Sequence, residues 1–288
     1  AEKIIPGGNG LLSKRPQRYS PDFWPTYYKK SKNLNVWDLE GNKYIDMAQM
    51  GVGTCVLGYA NDYVNKKVIK GIKLGNNSTL NSIEEYELAK KILKIEKFAD
   101  QIKFARGGGE AIDISIRLAR AFSKKDKILF SGYHGWYDWY LATNIKGRNQ
   151  LKEHLLPGLD PLGVPSKLKN TVKPIKYNDV NAIKKIKNPN EYGAFIIEPT
   201  RFFFPTKDFV KEVSNFCKKS PVSQALNIPK SPSSVFKCVP IVELAQIANS
   251  AIICFINFSS LAGSRMQHVL RRSEVREQRE VSKQGAIP

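Results

Sequence analysis

The feature that most constrains the fold of this 288-residue chain is a strand, turn and helix order that recurs between residues 102 and 218. Three short apolar runs are suited to buried strands: Ile102–Ala105, Ile128–Phe130 and Ala194–Ile197. Helical patterns follow the first run and the third. This alternation predicts an α/β domain with a mostly parallel sheet and helices on both faces. In such sheets ligands bind beyond the carboxyl ends of the strands.

The helix after the first strand is predicted to run from Glu110 to about Lys124. Its apolar side chains share one face, which predicts the side that packs on the sheet: Ala111, Ile114, Leu118, Ala119 and Phe122. The helix after the third strand is predicted to run from about Asp208 to Lys218. A glycine-, proline- and asparagine-rich stretch at 143–176 is predicted to be irregular.

The chain divides by pattern into three parts. Residues 1–60 form an N-terminal segment whose alternation at 35–47 around Gly41-Asn42 predicts a hairpin. Residues 61–217 are expected to form the large domain, opened by helices at 62–74 and 82–95. Residues 218–288 form an unmatched tail, because their composition differs from that of the rest of the chain. Through Cys217 there are 29 Lys and 7 Arg, whereas from Lys218 onward there are five of each. The tail also has no Asp, which favours a frame-shifted, fused or disordered segment.

Composition excludes several classes of function. The net charge is +20, but the lysines are scattered without a basic stripe, so no nucleic-acid partner is expected. The four cysteines form no metal-ligand pattern, which predicts reduced thiols in the cytoplasm and no metal site. The start lacks an apolar leader or an initiator Met and is expected to be a fragment or a processed start. The uncharged run Leu244–Gly263 contains too many polar residues for a good membrane span.

The segment Phe104–Ala111 places three glycines, Gly107 to Gly109, between a strand and a helix. Backbone N–H groups at such a turn can approach an anion, and the positive end of the helix dipole adds to the attraction. A phosphate monoester fits this arrangement. The alternative is a tight turn with no ligand, because glycine is the usual residue there. The spacing matches neither common nucleotide-binding glycine motif.

Two further strand ends carry polar or aromatic side chains. Tyr133 and His134 follow the second strand and offer a ring face and an imidazole, or else a core aromatic beside a structural histidine. Glu198 follows the third strand, where it is either a site carboxylate or an exposed acid.

Taken together, the motifs resemble the class III aminotransferases, and within them the glutamate-1-semialdehyde aminomutases. The resemblance spans about residues 4 to 217 and rests on Ile5-Pro6-Gly7-Gly8, Asp38-x-x-Gly41-Asn42-x-Tyr44-Ile45-Asp46, Leu57-Gly58, Glu85-x-x-Leu88-Ala89, Phe104-x-x-x-Gly108-x-Glu110-Ala111, Arg117-Leu118-Ala119-Arg120-Ala121, Tyr133-His134-Gly135 and Ile197-Glu198-Pro199. It implies the large domain of a fold-type-I transferase that depends on pyridoxal 5′-phosphate, and we expect this domain to be truncated and the small C-terminal domain to be missing. It further implies a homodimer, a small-molecule amino or keto substrate, and neither a nucleic-acid nor a membrane partner.

The resemblance also implies roles for individual residues. Gly108 and Gly109 would donate backbone amides to the phosphate, Tyr133 would stack on the pyridine ring, and Thr79 would face the substrate. The residues implied to bind the cofactor are Gly107, Gly108, Gly109, Tyr133, His134 and Glu198.

The chain departs from the family in three places. Relatives usually have Asn-Ser-Gly-Thr-Glu-Ala at 106–111, so two hydroxyl groups are missing here, and Phe202–Phe204 replaces a small or polar stretch. No Asp follows Cys217 to pair with the pyridine nitrogen, and no lysine lies between Lys237 and Lys283. No catalytic residue is therefore assigned. We expect an aminotransferase or aminomutase that is inactive as written; the alternative is a non-catalytic scaffold or binding protein of the same descent. Glutamate 1-semialdehyde is the first substrate expected, and transfer onto another carbonyl compound is the second.

Overall fold

A computed structural model describes residues 1–11, 14–47, 54–75, 78–96, 99, 101–147, 149–152, 160–198, 204–219 and 252–256. The chain forms two compact units, and the first runs from Ala1 to Ser82. Its elements are β1 (Tyr28–Lys32), β2 (Asn35–Asp38), β3 (Lys43–Ile45), α1 (Asp62–Leu74) and two 3₁₀ turns, Pro6–Gly8 and Pro16–Arg18. The first unit extends beyond the limit at residue 60 expected from the sequence.

The three strands of the first unit form an antiparallel sheet in the order β1-β2-β3. The predicted hairpin is confirmed, with its turn at Asp38–Lys43. The Asp38 carboxylate accepts hydrogen bonds from the backbone of Glu40 and Asn42, at 3.0 and 2.8 Å, and from the Tyr44 hydroxyl at 3.0 Å. The Asp and Asn of this motif therefore stabilise a turn.

Helix α1 is joined to the sheet of the first unit at its start. The Asn61 side chain caps the helix by accepting from Val64 N. Lys32 Nζ lies 2.7 Å from Asp62 Oδ1 and 2.9 Å from the Ala60 carbonyl. These contacts explain why residues 61–74 belong with the hairpin, although an exposed ion pair contributes at most about 1 kcal/mol.

The second unit begins at Ile83. Its helices are α2 (Ile83–Ile95), α3 (Gly108–Ser123), α4 (Asp138–Leu141), α5 (Val180–Lys184) and α6 (Lys207–Lys219). Its strands are β4 (Gln101–Ala105), β5 (Lys127–Ser131), β6 (Val172–Pro174), β7 (Tyr192–Ile197) and β8 (Ile252–Ile256). Short 3₁₀ turns lie at Ala142–Lys146, Ser166–Leu168 and Pro189–Glu191.

The central sheet of the second unit has the order β6-β5-β7, and both neighbours run parallel to β5. Successive strand residues face opposite sides, so the sheet separates two apolar clusters. Ile128 and Phe130 belong to the cluster that includes α3 and α4. Leu129 and Phe195 belong to the cluster that includes α6. The predicted parallel α/β layering is confirmed.

The face that α3 buries differs in part from the predicted one. Ala111 and Ala119 are buried as expected, but Ile114, Leu118 and Phe122 are only partly buried. The remaining buried residues of the helix are Ile112, Ser115 and Ile116. The helix packs against β4, β7 and β8 together, and this turns its buried side away from the most apolar stripe.

Two strands lie where the sequence predicts none. β6 occupies part of the stretch 143–176, and β8 lies in the tail, where it pairs antiparallel with β4. The strand β8 falls within Leu244–Gly263, whose other residues lie outside the described part of the chain. Among the described residues, no helix is both long and apolar enough to cross a membrane.

Candidate functional site

Helix α3 begins at the carboxyl end of β4 with an uncapped first turn. Its N-cap residue is Gly107, which has no side chain to accept from the turn. Among the described residues, none accepts a hydrogen bond from the amides of Gly108 or Gly109. A 16-residue helix thus presents free N–H groups together with the positive end of its dipole.

The acid of the same turn bonds to the backbone just before the helix. Glu110 Oε2 accepts from Arg106 N at 2.7 Å. This contact satisfies the amide that precedes the N-cap and places a carboxylate at the positive end of the helix, where it is favourable. The amides of Gly108 and Gly109 are left for an external acceptor.

The loop after β5 is fixed by the Glu198 carboxylate. Glu198 Oε2 accepts from Tyr133 N at 2.9 Å. Gly132 lies at φ +97°, and a Cβ there would be 2.5 Å from Glu198 Cβ and 2.7 Å from Oε2. The close approach therefore needs glycine at 132. Glu198 holds the backbone that carries Tyr133, whose side chain is about a third exposed.

His134 lies in the core of this loop. Its side chain is buried, and its Nε2 lies 2.9 Å from the Ser131 carbonyl, so this nitrogen donates. The ring packs edge-on against Phe130 and Tyr140, at 6.0 and 6.2 Å between centroids. Tyr140 in turn donates its hydroxyl to the Gly132 carbonyl at 3.0 Å. This environment matches the structural histidine that the sequence left open as an alternative.

Tyr137 also borders the first turn of α3, although no motif in the sequence indicates it. A Cβ at Gly109 would lie 2.1 Å from Tyr137 Cε2 and 2.5 Å from its Cδ2. Gly135, at φ +94°, also approaches α3, because a Cβ there would be 3.4 Å from Gly109 Cα. The loop therefore closes directly onto the first turn of the helix. The one available sequence signal was the glycine at 109 where relatives have a side chain.

Two buried polar atoms beside the loop have no hydrogen-bond partner among the described residues. They are Ser131 Oγ, at the carboxyl end of β5, and Trp139 Nε1 on α4. The two residues are 0% and 3% exposed. Buried polar groups are normally paired, so these atoms mark a region with unused hydrogen-bonding capacity.

The structure thus brings together six of the predicted residues at the carboxyl ends of β4, β5 and β7: Gly107, Gly108, Gly109, Tyr133, His134 and Glu198. Thr79 is exposed and belongs to the first unit. Of the phenylalanine run, only Phe204 lies within the described residues, and it is exposed. No cluster of three potential metal ligands occurs among the residues that the structure describes.

The parallel sheet, the glycine-lined start of α3 and the aromatic loop Tyr133–Tyr137 are those of an α/β protein whose open helix start lies at the carboxyl ends of its strands. The family model for aminotransferase class-III matches residues 18–223, and the chain belongs to that family. A solved structure described as a transaminase with PLP bound superposes with a TM-score of 0.64 at 21% identity, over 76% of this chain and 50% of the other. The fold is that of the large domain of fold-type-I transferases.

Curated relatives point the same way. A glutamate-1-semialdehyde 2,1-aminomutase of Methanosphaera stadtmanae is 34% identical over 203 residues, which are 69% of this chain and 45% of the relative. A 3-aminobutyryl-CoA aminotransferase of Cloacimonas acidaminovorans is 30% identical over 202 residues, 69% of this chain and 44% of the relative. The chain spans about half the length of the curated relatives it matches.

Family and fold support pyridoxal 5′-phosphate as the cofactor. The described residues fit the phosphate and the ring: free amides begin α3, and the partly exposed residues Tyr133, Trp136 and Tyr137 lie on the adjoining loop. Residues 218–288 contain no Asp, so they supply no aspartate for the pyridine nitrogen.

Proposed function

We propose that this chain is the phosphate- and ring-binding part of a pyridoxal-phosphate-dependent aminotransferase of the glutamate-1-semialdehyde aminomutase type. The observation that carries the proposal is the uncapped start of α3, where the amides of Gly108 and Gly109 have no acceptor among the described residues. An aromatic loop closes on that turn. The net charge of +20 favours an anionic ligand in general.

Each residue of the site has one role in this proposal. Gly107, which lacks a side chain, leaves the helix start open, and Gly108 and Gly109 donate their amides to the phosphate. Tyr133 offers its exposed ring face for stacking. Two further residues act through their neighbours. His134 packs inside the loop. Glu198 accepts the hydrogen bond from Tyr133 N and so fixes the backbone that carries the Tyr133 ring.

When bound, pyridoxal phosphate supplies an electron sink for the bonds at the amino-bearing carbon of a substrate. Two residues that the family uses for such chemistry are not identified in the tail. Residues 218–288 contain no Asp to pair with the pyridine nitrogen, and no lysine lies between Lys237 and Lys283. We therefore propose that this polypeptide by itself holds the cofactor without turnover. The other candidate, a binding protein that kept the scaffold, rests on the same absence.

The substrate that we favour is glutamate 1-semialdehyde, because a 34% identical relative carries the aminomutase name. The similarity to an aminotransferase with another substrate keeps a second carbonyl acceptor as the alternative. We also propose that Thr79 contacts the substrate, as the family resemblance implies. We further propose a homodimer, as the family resemblance implies, and a cytoplasmic location, in keeping with the reduced thiol of Cys55.

Calorimetry tests the proposed ligand directly. Titration with inorganic phosphate and with pyridoxal phosphate should give binding that Gly108→Val abolishes, since a branched side chain blocks approach to the amides. The matched control is Gly147→Val. Gly147 lies outside the site, and a Cβ at Gly147 would meet only Gln150 Nε2, at 3.7 Å. Equal affinity in the wild type and Gly108→Val would refute the site.

The absence of turnover has its own test. Borohydride should not fix pyridoxal phosphate to any single lysine of this chain. A chimera of residues 1–217 with the remaining half of an active relative should gain both turnover and fixation. Turnover by the chain as it stands would show that a lysine such as Lys230 serves instead. A folded but inert chimera would place the defect in the glycine run or in Phe202–Phe204.

A further inference from the structure

The side chain of Tyr137 occupies the space that a side chain at Gly109 would need. The ideal Cβ position of Gly109 lies 2.1 Å from Cε2, 2.5 Å from Cδ2 and 3.1 Å from Cζ of the Tyr137 ring. Real Cβ atoms do not approach other atoms within 3.0 Å, so any residue except glycine would displace the ring. Gly109 and Tyr137 are therefore a matched pair.

The geometry of the helix determines where this ring lies. Gly109 is the second residue of α3, and Cα–Cβ bonds of a helix tilt toward its N-terminus. A ring edge at the Cβ position of Gly109 thus borders the helix start on its N-terminal side. Cζ, which carries the hydroxyl, is among the three nearest atoms. The phenol is accordingly placed beside the amides of Gly108 and Gly109.

The hydroxyl of Tyr137 is available for a ligand. The residue is 39% exposed, and no described residue forms a hydrogen bond with this hydroxyl. The ring is also held, since it contacts Gly109 on one side and lies 6.0 Å from Trp136 between centroids. A hydroxyl on a fixed ring can donate to an anion with little further loss of side-chain entropy.

We propose that Tyr137 is a phosphate-binding residue whose hydroxyl donates to a phosphate monoester held at the start of α3. The inference rests on the proposed function, because it takes the amides of Gly108 and Gly109 as the primary cradle. Tyr137 then supplies from the loop the hydroxyl that a serine or threonine at 109 would supply from the helix. Glycine at 109 is required for the phenol to reach this position.

The decisive variant is Tyr137→Phe, which keeps the ring against Gly109 and removes only the hydroxyl. Calorimetry with inorganic phosphate, pyridoxal phosphate and unphosphorylated pyridoxal separates the phosphate from the ring. We expect Tyr137→Phe to weaken both phosphate-containing probes about ten- to a hundredfold, the value of one hydrogen bond to a charged group, and to leave pyridoxal unchanged. The control is Tyr86→Phe, which removes an exposed phenol on α2 and should change none of the three.

A second measurement tests the packing without any ligand. Gly109→Ala should lower the melting temperature, and Tyr137→Ala should recover part of that loss in the double variant, because the colliding ring is gone. Additive effects of the two substitutions would overturn the matched pair.

The ligand titrations distinguish the two levels of the proposal. If the wild type binds neither phosphate nor pyridoxal phosphate, the proposed function and the role of Tyr137 both fail. If the wild type binds and Tyr137→Phe binds equally well, only the role of Tyr137 fails. A loss of pyridoxal affinity equal to the loss for pyridoxal phosphate would assign Tyr137 to the ring and overturn its contact with phosphate.

Discussion

Replacing Gly132 by alanine perturbs the contact that fixes the aromatic loop. Gly132 lies at φ +97°, where side chains are rarely tolerated. An added Cβ would also lie 2.5 Å from Glu198 Cβ and 2.7 Å from Oε2. Because both atoms belong to a half-buried residue that follows β7, the collision pushes away the carboxylate that holds Tyr133.

Two contributions set the size of the effect. The positive φ costs about 1–2 kcal/mol for a residue with a Cβ. Loss of the hydrogen bond from Tyr133 N to a carboxylate adds about 1.5–3 kcal/mol. We therefore expect Gly132→Ala to lower the free energy of unfolding by about 2.5–5 kcal/mol, which is a large share of the stability of a typical domain.

Urea unfolding followed by circular dichroism measures the difference, with Gly163→Ala as the matched control. Gly163 has a similar φ of +84°, but a Cβ there would have no atom within 4 Å. The control isolates the backbone strain and should cost about 1–2 kcal/mol. If the two variants lose equal free energy, the collision with Glu198 is not real and the account of the loop is wrong.

Two further predictions concern other parts of the chain. The pKa of Asp38 lies below its ordinary value because hydrogen bonds from Asn42 and Tyr44 outweigh burial, which raises it. The ionised Asp38 carboxylate therefore stabilises the folded state fully above its unfolded pKa of about 3.9, and this stabilisation is lost as the pH falls through the lower folded pKa. Asn42→Ala should raise the folded pKa of Asp38 in an NMR titration, and an unchanged pKa would contradict this account. Phe130→Ala removes a fully buried ring and should lower the free energy of unfolding, measured in urea, by about 3–5 kcal/mol. The control Phe204→Ala, at an 80% exposed residue, should lower it by less than about 0.5 kcal/mol. Similar losses in the two variants would refute the assigned core.

The order of the elements could be predicted from the sequence because periodicity is local. The hairpin, α1, α2 and the strands β4, β5 and β7 lie within about two residues of their predicted limits. The family could be predicted as well, since its motifs are short runs with fixed residue types. The short strand β6 carries too few residues for a pattern of its own.

What the sequence by itself determined is therefore the alternation of strands and helices, the glycine run at a helix start and the class III aminotransferase family. Only the tertiary structure decided which side of α3 is buried, because several strands share that helix. It also decided that Glu198 binds a backbone amide and that Tyr137 fills the space over Gly109. Such contacts join residues 28 and 65 positions apart, and no local pattern encodes a distance across a turn of the fold.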